Sequence, residues 1–547
     1  MFKNFFTKQT NSITVAALMV GFSSLFSRFL GVFRDRVLAG EFGAGQTLDV
    51  YYSAFRIPDF IFNLLVLGAL SAGFIPVFSS LIKDFKSYNS FGLFKFLNQE
   101  AWDLANNVLN ALLLFVAFLS LLGVIFAPGL MHVVAPGFSP EAQKLSVTLC
   151  RIMFLSPLFL SISGILGGIL QSFKNFFVYS LSPIFYNIGI IVGVLYFVPL
   201  WGISGLAWGV VLGAFFHMAI QIPAVRALGF IYKFKINFRD INFIKIVRMM
   251  VPRTLGLAIS QIDLLVTTII ASSLIPGSLA IFNLSNNLQS FPVSLFGISF
   301  AVAAFPILAA VASDNKKLVD NFSSTVRQIL FFIVPATVIF LSLRAQIIRV
   351  ILGSGAFSWR DTILTMDTLG FLSLSLFAQA IIPLQTRVFY ARKDSRTPFF
   401  IGLISVAADI IFCLIFSKRM GVAGLGLAFS LSSILNFVLL WIFLLFKLGS
   451  LDQVKILISA LKFSVAAVVA GFVIQAVKSV IWPFVDMETF SGILIQGLTA
   501  GLAGLAAYLL LCWLFRSQEL FSFVHAVGRR LPWHKTKLDD HGEVRGI

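Results

Sequence analysis

DLANNVLNALLLFVAFLSLLGVIFA occupies residues 103–127, and after its first aspartate it carries no charge. A helix rises about 1.5 Å per residue, so a run of this length clears the roughly 30 Å hydrocarbon core of a bilayer. It lacks the alternation of apolar and polar residues that a membrane β-strand shows, and its length reads as helix.

Working outward, thirteen comparable runs follow the same pattern. They fall at 13–38, 56–82, 145–171, 177–199, 202–224, 247–274 and 278–312. The others are 325–349, 362–390, 398–417, 421–446, 455–477 and 489–515. The chain of 547 residues is 58% hydrophobic and only 12% charged, against about a quarter charged in ordinary soluble domains. Its mean hydropathy is +0.95. So much apolar surface cannot be buried in one water-soluble core, which excludes a soluble enzyme and a disordered chain. The reading is an all-α polytopic membrane protein with about 14 transmembrane helices. The apolar run after Lys3 and Lys8 is read as a retained helix rather than a cleaved signal.

The net charge of +18 is unevenly placed. Lys3, Lys8, Lys83, Lys86, Lys174, Arg226, Lys233, Lys235, Lys316, Lys317, Arg392, Lys393 and Lys447 fall in loops on one side. The other side has scattered cations such as Lys144, Arg349 and Arg360. This bias puts both termini in the cytoplasm. The linker 226–246, RALGFIYKFKINFRDINFIKI, mixes basic and aromatic residues and reads as an amphipathic helix on the inner leaflet. In a membrane protein such basicity points to lipid and an anionic substrate, not to nucleic acid.

The second half echoes the first. FIPVFSSLIKD (74–84) resembles AFPILAAVASD (304–314) at an offset of 230, and GISGLAWG (202–209) resembles GVAGLGLA (421–428) at an offset of 219. The chain divides accordingly into a six-helix lobe 1–225, the linker 226–246, a second six-helix lobe 247–447, a helix pair within 448–515 and a basic tail 516–547. An even number of helices per repeat keeps both lobes in one orientation, so the pseudo-symmetry axis runs along the membrane normal.

Ionisable residues inside apolar runs are costly and mark function. Ser27 and Arg28 lie in the first run, and Arg34, Asp35 and Arg36 follow six to eight residues on, about two helical turns further. Asp49 precedes Tyr51 and Tyr52, and Arg56 opens the second run. Guanidinium groups along such a helix suit a phosphate, because they donate in a fixed, bidentate fork. Arg56 at a helix end is equally explained by snorkelling. Arg151 and Arg253 also enter apolar text. Asp263 and Asp409 are carboxylates without a local basic partner, and Ser405 sits one turn before Asp409. Together these three make a candidate site for a monovalent cation such as Na⁺. No other metal or cofactor pattern is present. The chain has no P-loop, zinc-protease or nucleophile-elbow signature. Cys150, Cys413 and Cys512 lie in apolar runs as packing residues.

Several segments resemble a known family. SRFLGVFRD (27–35), FGAGQTLDVYY (42–52), APGF (135–138), RIMFLSPLFLSISGILGGILQSFKNF (151–176), GAFS (355–358) and FYARKDSRTP (389–398) are similar to the MurJ (MviN) family. These are bacterial lipid II flippases of the multidrug/oligosaccharidyl-lipid/polysaccharide exporter superfamily. The resemblance implies a plasma-membrane transporter, not an enzyme, acting as a monomer. It implies a substrate of undecaprenyl-pyrophosphate-linked disaccharide-pentapeptide, moved by alternating access for peptidoglycan synthesis. Ser27, Arg28, Arg34, Asp35 and Asp49 match the family's functional positions, with Arg253 a further candidate. The last two helices would hold the prenyl tail. This chain departs from the family's charged pattern with Phe62-Asn63 and Leu67 in the second run, and Asn286-Asn287 and Ser290 in the eighth. Half of the usual charged cavity is therefore neutral, which leaves export of another polyprenyl-linked glycan, or of a drug cation, as alternatives.

Overall fold

A computed structural model describes residues 13–67, 73–83 and 94–528. Among these residues every regular element is helical. In chain order the α-helices are α1 Ile13–Phe42, α2 Gln46–Phe62, α3 Ile75–Lys83, α4 Phe94–Val134, α5 Pro140–Met153, α6 Ser156–Ser172, α7 Phe176–Val192 and α8 Val198–Trp201. Then come α9 Ser204–Ala219, α10 Ile222–Ala227, α11 Ile241–Ser272, α12 Ser278–Pro292, α13 Ser299–Ala310, α14 Asn315–Ser342, α15 Arg344–Ile351 and α16 Trp359–Ser373. The last are α17 Leu376–Ala391, α18 Arg396–Met420, α19 Val422–Leu448, α20 Gln453–Ile481, α21 Phe490–Leu514 and α22 Gln518–Gly528. Three π-helical stretches, Asn63–Leu67, Gly193–Phe197 and Val293–Ile298, continue neighbouring α-helices.

Among the described residues ten helical stretches are long and apolar enough to cross a membrane, or twelve if each of two bent pairs forms one span. The expected runs at 13–38 and 56–82 are not in that count. The first forms the 30-residue α1, whose opening turns carry side chains outside the described residues. The second run carries Arg56 and Asp59 and passes through 68–72, outside the described residues. The run expected at 145–171 is broken after Met153 into α5 and α6, and that at 362–390 after Ser373 into α16 and α17.

The chain folds into two compact units. One comprises 1–291, 347–375 and 398–436; the other comprises 292–346, 376–397 and 437–547. The core of the first unit gathers Phe74, Phe78, Trp102, Phe173 and Phe230, whose rings meet at centroid distances of 5.0 to 6.3 Å. Small residues let its helices touch at backbone distance. A Cβ on Gly189 of α7 would lie 2.3 Å from Gly213 Cα of α9, and one on Gly193 would lie 2.4 Å from Gly209 Cα. Gly189 and Gly193, and Gly205, Gly209 and Gly213, recur every four residues, the spacing that lets helices meet closely in lipid.

In the second unit, α20 and α21 pack on each other and on α14. Tyr508 of α21 donates to the Phe331 carbonyl at 2.8 Å, and Phe331 also packs its ring on Phe463 of α20. Asp394, in the loop before α18, takes N–H and O–H bonds from Thr397 and pairs with Lys447. Burial opposes ionisation of Asp394, but those donors outweigh it and hold the carboxyl at about 2.

The two sequence offsets reappear in the backbone. The π-stretches starting at Asn63 and Val293 are 230 residues apart. At the offset of 219, Lys174 and Lys393 both take φ 59°, and Gly202 and Gly421 take φ 60° and 59°. Ser139 and Ser358 are both side-chain N-caps, of α5 and α16. A Cβ on Gly205 would press on the Phe197 carbonyl group, and one on Gly424 on that of Phe416. The shift from 230 to 219 falls where α4 has 41 residues and α14 has 28.

The linker differs from the helix expected over 226–246. Residues 230–237 are non-helical, between the end of α10 and the start of α11. Three buried asparagines on two successive turns of α4 hold them so. Asn106 accepts from Lys233 N at 2.9 Å and donates to the Ile231 carbonyl at 3.1 Å. Asn110 donates to the carbonyls of Lys233 and Lys235 at 3.0 and 3.1 Å. Asn107 accepts from Asn237 N at 2.7 Å and donates to its carbonyl at 2.9 Å. Side-chain amides thus satisfy a backbone that helix formation would otherwise have to satisfy.

The α7–α9 crossing yields a prediction. Gly209→Ala should destabilise the protein by about 1–3 kcal/mol, the usual cost of overpacking, because the added methyl meets backbone. Gly129→Ala, where nothing lies within 4 Å, should be neutral or stabilising. Thermal unfolding in detergent checks the contrast; equal melting temperatures for both variants would contradict the close crossing.

Candidate functional site

The polar interior of the first unit is built around α1. Arg34 donates to Asp35 Oδ1 through Nε at 3.1 Å and Nη2 at 2.7 Å, and to Asn187 Oδ1 of α7 through Nη1 at 3.1 Å. Asn287 of α12 donates to the other Asp35 oxygen at 2.9 Å. Asn187 also reaches the carbonyl of Ser27 at 3.4 Å. The four side chains Asn187, Arg34, Asp35 and Asn287 therefore form one chain across α7, α1 and α12. Tyr51 and Tyr52 lie within electrostatic range of Arg34, and the buried Tyr52 hydroxyl has no hydrogen-bond partner among the described residues.

Arg28 is different. It lies seven residues before Asp35, close to the same helix face. Its guanidinium is half-buried and has no hydrogen-bond or ion-pair partner among the described residues. Arg36 turns the other way, donating to the carbonyls of Val350 and Ile351 at the end of α15. Arg151 is exposed and donates to the Val124 carbonyl at 3.1 Å. The side chain of Arg253 lies outside the described residues.

Sequence reading missed a second polar group. Arg56 donates to Thr268 Oγ1 of α11 and Asn283 Oδ1 of α12, each at 2.8 Å. Asp59, one turn further along α2, accepts from Asn63 at 2.8 Å. Thr268 and Asn283 gave no signal because a neutral residue in an apolar run reads as ordinary packing.

Asp49 is buried, and backbone donors engage both its oxygens. Gly277 N donates at 2.6 Å and Ala280 N at 2.7 Å, so its carboxylate closes the N-terminus of α12. Gly277 must be glycine here: its φ is +94°, and a Cβ would lie 1.9 Å from the Ala44 carbonyl oxygen. Other segments that resemble the family make similar close backbone contacts. Ala356 N of GAFS donates to the Gly40 carbonyl at 2.7 Å, and Asp361 accepts from Ala44 N at 3.4 Å. A Cβ on Gly137 of APGF would lie 2.4 Å from the Ser272 carbonyl oxygen.

Asp263 of α11 and Asp409 of α18 come together. Their carboxyls interact directly, and Asp263 Oδ1 is buried with no hydrogen-bond partner among the described residues. Ser432 of α19 donates to Asp409 Oδ1 at 2.8 Å, and the Cys413 thiol lies 3.6 Å from Oδ2. Ser405 sits one turn from Asp409, with its hydroxyl donated to the Ile401 carbonyl at 2.8 Å. Among the described residues no three His, Cys, Asp or Glu converge on a metal-sized site. Oxygen ligands for a cation here would be two carboxylates and nearby hydroxyls.

A bundle of apolar helices with buried arginine–carboxylate and paired-carboxylate clusters defines a polytopic membrane transporter. The family profile described as lipid II flippase MurJ matches residues 38–494, and the chain belongs to that family. A probable lipid II flippase MurJ of Vibrio cholerae is 30% identical over 441 residues, 78% of this chain and 82% of that one. One from Buchnera aphidicola of Schizaphis graminum is 29% identical over 441 residues, 79% of this chain and 83% of the other. A solved lipid II flippase MurJ in an inward closed conformation matches with TM-score 0.73 at 25% identity. It covers 91% of this chain and 98% of its own. An inward-facing multidrug transporter of the MATE family shares the fold at TM-score 0.63 and 15% identity, over 78% of this chain and 96% of that one.

The Asp49 contact generates a test. A carboxylate taking two backbone N–H bonds contributes about 1.5–3 kcal/mol per bond. Asp49→Ala should therefore lower the melting temperature in detergent more than Asp49→Asn, whose single oxygen can keep one bond. Equal melting temperatures for both variants and the parent would remove Asp49 from this role.

Proposed function

We infer that this protein moves lipid II, the undecaprenyl-pyrophosphate-linked peptidoglycan precursor, across the bacterial plasma membrane. It is a transporter and not an enzyme. Family membership over most of the chain supports the substrate. The observation that carries the mechanism is Arg28. Burying half of a guanidinium without a partner is costly, and an anionic ligand relieves that cost. Arg34 is already held by Asp35 and Asn187, and it joins Arg28 on the pyrophosphate when Asp35 releases it. Asp35 balances Arg34 while the site is empty.

The protein has fourteen spans: the twelve apolar ones together with α1 and the α2–α3 segment. Two six-helix repeats are supported by the paired backbone features at offsets of 230 and 219. The distribution of lysine and arginine places both termini in the cytoplasm. The protein acts as a monomer by alternating access, and α20 and α21 flank the prenyl tail. Asp263 and Asp409, with Ser405 within one turn, hold a monovalent cation such as Na⁺ that couples to transport. Two adjoining carboxylates in an apolar surround require a proton or a cation, and hard oxygen ligands suit Na⁺.

Arg28→Ala should abolish complementation of a flippase-depleted strain with membrane levels unchanged. Arg28→Lys should restore part of it, since it keeps charge but loses the fork. Full complementation by the alanine variant would overturn the pyrophosphate role.

For the cation, added Na⁺ should raise the melting temperature of the parent protein. Asp263→Asn and Asp409→Asn should each remove that rise and the dependence of lipid II transport on a Na⁺ gradient in proteoliposomes. A Na⁺ response that survives both substitutions would rule the site out.

A further inference from the structure

Away from α1, the first unit contains a cavity of about 840 Å³ between α4, α6, the α9–α10 corner and the linker held by the α4 asparagines. Its volume is within the range of roughly 300–1,000 Å³ found for small-molecule sites. The walls are apolar: Leu109 and Leu113 from α4, Ile162 and Leu166 from α6, and Met218 from α9. Two polar side chains reach the lining, Tyr232 and Arg226. Tyr232 has spent its hydroxyl on Asn110 Oδ1 at 3.0 Å. Arg226 is exposed at the cavity edge, with no hydrogen-bond or ion-pair partner among the described residues.

A ligand for this cavity needs a long apolar body and one anionic group at its end. Free arginine at the mouth favours a phosphate, and Lys233 and Arg239 add positive charge along the same linker, whose Lys235 is paired with Asp103 at 2.8 Å. Ile231, Tyr232 and Phe234 are exposed on that linker. They give it an apolar edge beside its cations, the composition of a segment lying at a bilayer surface. We propose that this cavity is a site for an anionic phospholipid, with an acyl chain between α4 and α6 and its phosphate on Arg226.

The bound lipid would also act on the fold. The linker is held to α4 through three asparagine side chains rather than through regular backbone structure. An acyl chain against Phe230 and Ile231 would add apolar contacts to those bonds and stiffen the connection between α10 and α11.

The test is native mass spectrometry of the purified full chain, with phosphatidylglycerol or phosphatidylcholine of identical acyl chains added. Phosphatidylglycerol should be retained as one adduct at least tenfold more than phosphatidylcholine. Arg226→Gln should cut that retention at least fivefold, and Lys144→Gln should leave it unchanged. Leu109→Trp, which fills the cavity, should reduce retention of both lipids; if it fails to fold, the Arg226 comparison decides alone. Equal retention by Arg226→Gln and the parent, or equal retention of the two lipids, would overturn the proposal. Displacement of phosphatidylglycerol by an equimolar amount of undecaprenyl pyrophosphate would also overturn it, by assigning the cavity to isoprenoid tails. Adducts are counted without transport, so either outcome leaves the flippase reading intact.

Discussion

The Arg34–Asp35 pair, held between Asn187 and Asn287, is the interaction on which the rest of the first unit depends. A guanidinium in hydrocarbon must find acceptors, and a carboxylate there must find donors. Neighbouring residues on one helix supply each other, but neither is satisfied by the other alone. The remaining donor of Arg34 fixes α7, and the remaining acceptor of Asp35 fixes α12. An unfavourable transfer of charge into the membrane is thus converted into a register constraint on three helices. Arg56 repeats the device with α11 and α12, using a threonine and an asparagine. The polar interior is a set of neutral amides and hydroxyls arranged around a few charges, and it is specified through hydrogen-bond geometry.

This arrangement gives the neutral residue at Asn287 a physical role. A charged side chain at Asn287 would either repel or overload Asp35, whereas an amide completes its acceptor set without adding charge. The same holds at Asn63, which donates to Asp59. Two departures that look like a depleted binding site in the sequence are, in the fold, the partners of carboxylates that remain. Net positive charge is thereby concentrated on Arg28, whose guanidinium is not already committed.

The all-helical membrane architecture was legible because apolar length survives any detail of packing. The segments matched at the offset of 219 stood out because they carry backbone requirements, such as positive φ at Gly202 and Gly421 and a close approach at Gly205 and Gly424, which constrain residue type directly. Arg28, Arg34 and the Asp263–Asp409 pair stood out because charge in apolar text is rare. What could not be read was the set of neutral partners. Asn106, Asn107 and Asn110 sit in the same apolar run that announces a membrane helix, yet they hold a linker more than 120 residues away. The mix of basic and aromatic residues over 226–246 reads as an amphipathic helix because those amides are remote in sequence. Asp49 matches a functional position of the family in the sequence, but its cap on α12 becomes visible only once the N–H donors of Gly277 and Ala280 are placed.

One helix joins the two kinds of charge cluster. On α11, Asp263 meets Asp409 of α18, while Thr268, little more than a turn further, accepts from Arg56. A helix transmits a shift at one position to the next turn with little loss, because its backbone bonds fix the rise per residue. Whatever neutralises the paired carboxylates therefore acts on the element that anchors Arg56. Arg56 in turn fixes α12, whose Asn287 holds Asp35 and, through it, Arg34. The side-chain bonds from Arg56 to Thr268 and Asn283, from Asn287 to Asp35 and from Arg34 to Asp35 are each 2.9 Å or shorter, and α11 and α12 carry the steps between them. Thr268 lies five residues from Asp263, so α11 carries both the carboxylate pair and the anchor of Arg56.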